Sequence, residues 1–75
     1  MINLNIISMN NIEIDENSLR NDFISYEEAR KSGKYNMIMD MEDVIKDYNI
    51  TSYQNYIYII HNYTKLSRKY LENYD

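Results

Sequence analysis

His61 is the single histidine of this 75-residue chain, and it stands in the run NYIYIIHNY with Lys65 and Arg68 following it at helical spacing. Histidine is the side chain suited to moving protons near neutral pH. Acid–base or nucleophilic chemistry also needs a nucleophile in reach and a group that orients the imidazole. No serine, aspartate or glutamate stands at a recognisable spacing for either role. A solvated or partner-contacting histidine is therefore expected, and the chain is not expected to be an enzyme.

The second polar set is acidic: Asp40, Glu42, Asp43 and Asp47. Its spacing is not that of a calcium loop, and no glycine occupies the turn position. The absence of cysteine excludes disulfides and thiolate metal sites, and one histidine is too few for an ordinary zinc site. No metal or cofactor is expected. These carboxylates offer either a solvated helix face or a negative surface that competes for a basic groove made to neutralise phosphate. The third set is Lys65, Arg68 and Lys69, which could touch phosphate while Tyr58 and His61 stack on bases. Cations also suit the C-terminal half of any helix. The net charge of −4 makes the molecule as a whole repel nucleic acid, so direct nucleic-acid binding is not expected.

The elements that must position these groups follow from periodicity. Ile2, Leu4 and Ile6 alternate with Asn3 and Asn5, and Ile12 and Ile14 repeat the pattern beyond MNN. That reads as a short β-hairpin. Leu19, Phe23 and Tyr26 then fall at helical spacing, and the helix should stop at Gly33, after Arg30 and Lys31. An S-x-x-E capping box at Ser25 and Glu28 favours a start there, leaving 17–25 extended; a helix running from Asn17 is the other reading. Asp40 suits an N-cap, Met41, Val44, Ile45 and Tyr48 form an apolar stripe, and Asn49 suits the stop.

From the T-x-x-Q box at Thr51 and Gln54 to Asp75 no helix breaker occurs, which predicts one long helix. Tyr56, Ile60, Tyr63, Ser67, Tyr70 and Tyr74 would share its apolar face, and Asn55, His61, Asn62, Lys65, Arg68 and Lys69 its polar face. Tyr58 is the one large aromatic on that polar side. Nine tyrosines are more than so small a core can bury with every hydroxyl satisfied, and tyrosine is enriched at interface hot spots. VIKDYNITSYQNYIYIIHNY also has the outline of a helix-turn-helix, but Ser52–Ile60 carries no charge.

The length bounds one small domain, residues 1–75, with a marginal core. No stretch approaches the roughly 20 apolar residues of a membrane span. MINLNIISMNNIEI lacks the basic opening and apolar run of a signal peptide, so the cytoplasm is the expected setting.

ARKSGKYNMIMDMEDV, through Ser32, Gly33, Asn36, Met37, Asp40 and Val44, resembles a group of small phage and prophage proteins of unknown function. They share a helix ending in Ser-Gly, an Asn-Met a few residues on, an acidic residue and an apolar helix. The resemblance covers about sixteen residues and implies a mobile-element origin. The resemblance itself implies no activity; small acidic phage proteins often bind host proteins, anti-CRISPR inhibitors among them, and that general habit sets the expectation here.

The expected fold class is α+β, a short N-terminal β-hairpin packed on two short helices and one long C-terminal amphipathic helix. The expected function is a non-enzymatic inhibitor that docks on a host nucleic-acid-binding enzyme or CRISPR effector. Its expected contacts are Tyr58, His61, Lys65 and Arg68, with Glu42, Asp43 and Asp47 as an acidic patch. A small DNA-binding regulator is the alternative function, and a homodimer the bland one.

Overall fold

Asp15 is the residue at which extended chain becomes helix in the computed structural model, which describes the backbone of residues 6–9 and 12–71 and the side chains of residues 14–71. Strands β1 (Ile6–Met9) and β2 (Ile12–Asp15) pair antiparallel, with Ile7 opposite Ile14 and Met9 opposite Ile12. The expected alternation at Ile2 and Leu4, and the turn at Asn10 and Asn11, lie outside the described residues. Four-residue strands make a ribbon rather than a sheet layer. The fold class is accordingly corrected from α+β to a mostly helical one, with four helices among the described residues.

Helix α1 spans Glu16–Ser32. Asp15 adopts an extended backbone, and its carboxylate accepts from the Ser18 amide at 3.0 Å and the Ser18 hydroxyl at 3.1 Å. That cap satisfies a first-turn N–H that would otherwise lack a partner. The start favoured at Ser25 is thereby overturned, because Leu19, Phe23, Tyr26 and Ala29 form one continuous buried stripe through it. At the other end Gly33 takes the left-handed conformation, φ 73°, and its N–H bonds the Arg30 carbonyl. Glycine enters that region without the steric penalty of a Cβ.

Helix α2 is Met41–Asp47; Val44 is buried, while Met41, Ile45 and Tyr48 pack at the edge of the core. Asn49 leaves it with φ 54°, and Ile50 folds back to bury itself, its N–H on the Ile45 carbonyl. The following N-cap is Ser52 and not Thr51: the Ser52 hydroxyl accepts from the Asn55 amide at 3.1 Å. Thr51 is engaged elsewhere. Its N–H and hydroxyl both donate to the buried Asp22 carboxylate of α1, at 3.0 and 3.1 Å, and the Asn55 side-chain amide donates to the same carboxylate at 2.6 Å.

The long C-terminal helix is absent. Its segment divides into α3, Tyr53–His61, and α4, Tyr63–Tyr70, which meet at Asn62 with φ −124° and ψ 26°. The Asn62 side-chain amide donates to the Tyr58 carbonyl at 2.9 Å, the same oxygen its backbone N–H uses. Short amide side chains that bond nearby backbone compete with helix continuation, and the break falls where such a residue sits. Tyr74, the last member of the expected apolar face, lies outside the described residues.

Helix α3 packs against α1, α2 and α4, which explains two burials the helical wheel did not give, those of Asn55 and Tyr58. Asn55, expected on the polar face, is buried on Asp22. Aromatic rings fill the space between helices: Phe23 lies 5.7 Å from both Tyr63 and Tyr70, and Tyr26 lies 5.3 Å edge-on from Tyr56. Such tilted and edge-on contacts add to what area burial alone contributes. No buried side-chain polar atom among the described residues lacks a partner.

Candidate functional site

The connector between α1 and α2, residues 34–40, is short of regular structure but rich in specific bonds. The Asn36 side-chain oxygen accepts from the amides of Ile38 at 3.0 Å and Met39 at 2.9 Å, an Asx-type turn that needs a short side-chain carbonyl. Asp40 answers it. Its carboxylate accepts from the Asn36 amide at 2.8 Å, and its own N–H donates to the Asn36 carbonyl at 2.8 Å. The Tyr56 hydroxyl reaches across from α3 and donates to the Met37 carbonyl at 2.6 Å. Burial pushes that phenol up to about 12.

This bracing turns two apolar side chains outward. Ile38 is 59% exposed and Met39 80%, and Tyr53, in the first turn of α3, is 55% exposed. With Asp40, Met41, Glu42 and Asp43 they line a groove of about 450 Å³. Among the described residues its charged groups are three carboxylates, with no cation. Among the described residues neither Glu42 nor Asp43 takes part in an ion pair, although Lys46 follows one turn along α2. Scattered exposed apolar residues are ordinary; several converging on one groove with a charged rim are a feature of binding surfaces.

Comparison with protein-family models, with curated proteins and with solved structures gives no match.

The residues picked out by sequence divide between separate places. Glu42 and Asp43 line the groove and are exposed. Asp47 lies at the far end of α2, where its carboxylate accepts from the Tyr35 hydroxyl at 2.8 Å; that bond pushes the Tyr35 phenol up to about 12. His61, Lys65 and Arg68 are exposed at the end of α3 and along α4, and none lines the groove. Lys69 is paired with Glu16, holding that carboxyl below its ordinary value of 4.5.

Tyr58 is the clear correction. It is only 5% exposed and belongs to the hydrophobic core. The exposed position rested on an unbroken helical wheel through residue 75, and both the break at Asn62 and the packing of α3 among three other helices undo it. Of the tyrosines among the described residues, the exposed one is Tyr53. Ile38, Met39 and Tyr53 were missed. The available signal was NMIM, an apolar run lying between a helix stop at Gly33 and a helix start at Asp40.

Asp22 and Glu27 are also buried charges that sequence reasoning passed over. Both are satisfied structurally. Asp22 holds Thr51 and Asn55, and Glu27 takes the Arg30 guanidinium on both oxygens, at 2.9 and 2.8 Å. The Arg30 bonds keep the Glu27 carboxyl below its ordinary value of 4.5 despite burial. Among the described residues no helix is long and apolar enough to cross a membrane.

Proposed function

We propose that the protein is a non-enzymatic binding protein of phage type that docks on a host protein handling nucleic acid, a CRISPR effector being one such target, and blocks it in the host cytoplasm. The observation that supports this reading is the exposure of Ile38, Met39 and Tyr53 along one groove edged by Asp40, Glu42 and Asp43. An apolar centre with a charged rim is how specific protein interfaces are built. His61, Lys65 and Arg68 form a second exposed set on α3 and α4, available to the same partner or to another part of the complex. Tyr58 drops out of the contact set because it is buried. The helix-turn-helix reading has less support, since the exposed side chains of α3 are Tyr53, Gln54 and His61, with no lysine or arginine to meet phosphate.

The test is a tagged pull-down from a nuclease-treated bacterial lysate, run in parallel with a Met39→Glu variant and read by mass spectrometry. Stoichiometric recovery of a nucleic-acid enzyme with the wild type, and its loss with Met39→Glu, is the expected result. Recovery of bait alone, or of DNA-linked proteins that nuclease removes, overturns the reading.

A further inference from the structure

The groove has a sign as well as a shape. Ile38, Met39 and Tyr53 provide its apolar surface, and among the described residues the ionisable carboxyls on its lining belong to Asp40, Glu42 and Asp43. One Asp40 oxygen is already committed to the Asn36 amide, which leaves Glu42 and Asp43 as the carboxylates free to meet a ligand. A neutral apolar ligand would leave those two charges facing it without a counter-charge, and an anionic one would be repelled. The main chain at this edge is also preset: the amides of Ile38 and Met39 are taken by Asn36, so recognition falls to side chains.

Resting on the binding reading above, we propose that the groove takes a cationic segment of a partner protein. Arginine or lysine heads meet Glu42 and Asp43, and an aliphatic side chain from the same segment enters between Ile38, Met39 and Tyr53. Arginine suits the role best, because its planar head pairs with a carboxylate on two hydrogen bonds and stacks on an aromatic face, here that of Tyr53. Such segments line surfaces that bind nucleic acid, which gives the proposed blocking action a physical basis: the protein occupies cations otherwise used for phosphate.

The experiment titrates the full chain with a short synthetic peptide alternating arginine and leucine, followed by calorimetry at low and high salt. Two control peptides carry glutamate for arginine, or serine for leucine. The expected result is saturable binding of the arginine–leucine peptide that weakens with salt, with each control peptide at least about tenfold weaker. The double variant E42Q/D43N should lose about tenfold for the same peptide while staying cooperatively folded, its melting temperature lower by only a few degrees, since both side chains are exposed and give up only their favourable place in the first turn of α2. Met39→Ser should lose affinity at every salt concentration. Equal binding of the glutamate peptide, an unaffected E42Q/D43N variant, or no binding of the arginine–leucine peptide overturns the proposal. A molecular mass that rises with concentration and falls back in Met39→Ser overturns it too, since the occupant is then a second copy. The two ideas fail separately. A host protein captured through Met39 whose binding ignores salt and E42Q/D43N sinks the cationic segment and leaves the binding reading intact. Peptide binding of the expected pattern without any captured host protein does the reverse.

Discussion

At the residue scale, the tyrosines carry most of the chemistry that can be checked. Tyr58 is buried, so Tyr58→Ala should cost about 3–5 kcal/mol, as removal of a buried aromatic ordinarily does. Urea unfolding checks this, and an unchanged midpoint would return Tyr58 to the surface. Tyr56 and Tyr35 titrate late for different causes, burial for the first and the Asp47 hydrogen bond for the second, and both sit at about 12. The ordinary phenol value is 10.0. A raised folded-state pKa means these groups contribute stability that is complete below pH 10 and lost as pH climbs through 12. Absorbance titration near 295 nm should therefore show late-ionising tyrosines, one fewer of them in Tyr56→Phe. The number of tyrosines was plain in the sequence, but the division between Tyr58 inside and Tyr53 outside was not. It depends on how many neighbours surround α3, and a helical wheel carries no information about that.

At the scale of elements, local signals were readable where one residue decides the outcome. Gly33 and Asn49 end their helices in the left-handed conformation that their residue types suit. Signals that depend on competition were not. Ser25 and Glu28 look like a cap, yet Asp15 with Ser18 supplies one ten residues earlier and the buried stripe carries the helix through. Thr51 looks like the cap of α3, yet it is drawn to Asp22, twenty-nine residues back, and Ser52 takes the position. Nothing local in the sequence marks that long-range tie. It joins the start of α3 to the middle of α1, so Asp22→Ala should strand the buried Asn55 amide and cost about 2–3 kcal/mol. Thermal melts of Asp22→Ala, Asn55→Ala and the double variant provide the check. Losses that simply add would show that the two side chains do not act together. At the candidate site, Glu42 and Asp43 were legible as exposed acids. Ile38 and Met39 were not, since apolar residues in a connector usually fold inward, and only the Asn36–Asp40 bonding shows them held out.

For the whole molecule, the first and last helices are joined by charge. Glu16 at the start of α1 pairs with Lys69 near the end of α4, and the Tyr70 hydroxyl reaches the same carboxylate at 3.4 Å. Together with Glu27 on Arg30, this gives two carboxyls held below 4.5, chiefly by their basic partners. A depressed folded-state pKa contributes stability that is complete above 4.5 and lost as pH falls through the lower folded value. Melting temperature should therefore drop on acidification below pH 4.5, and the drop should shrink in Glu27→Gln, as followed by circular dichroism. Both pairs are partly solvated, so the effect should be modest and salt-sensitive. The bracing of residues 36–40 bears on a different property altogether. Methionine and tyrosine on an open surface invite a chymotrypsin-like protease, but cleavage requires a segment that can be pulled straight into the enzyme's cleft. Here the Asn36, Ile38, Met39 and Asp40 amides and the Met37 carbonyl are all engaged. The most accessible apolar stretch among the described residues should thus survive limited digestion, and an Asn36→Ala chain should be nicked there before any other described segment.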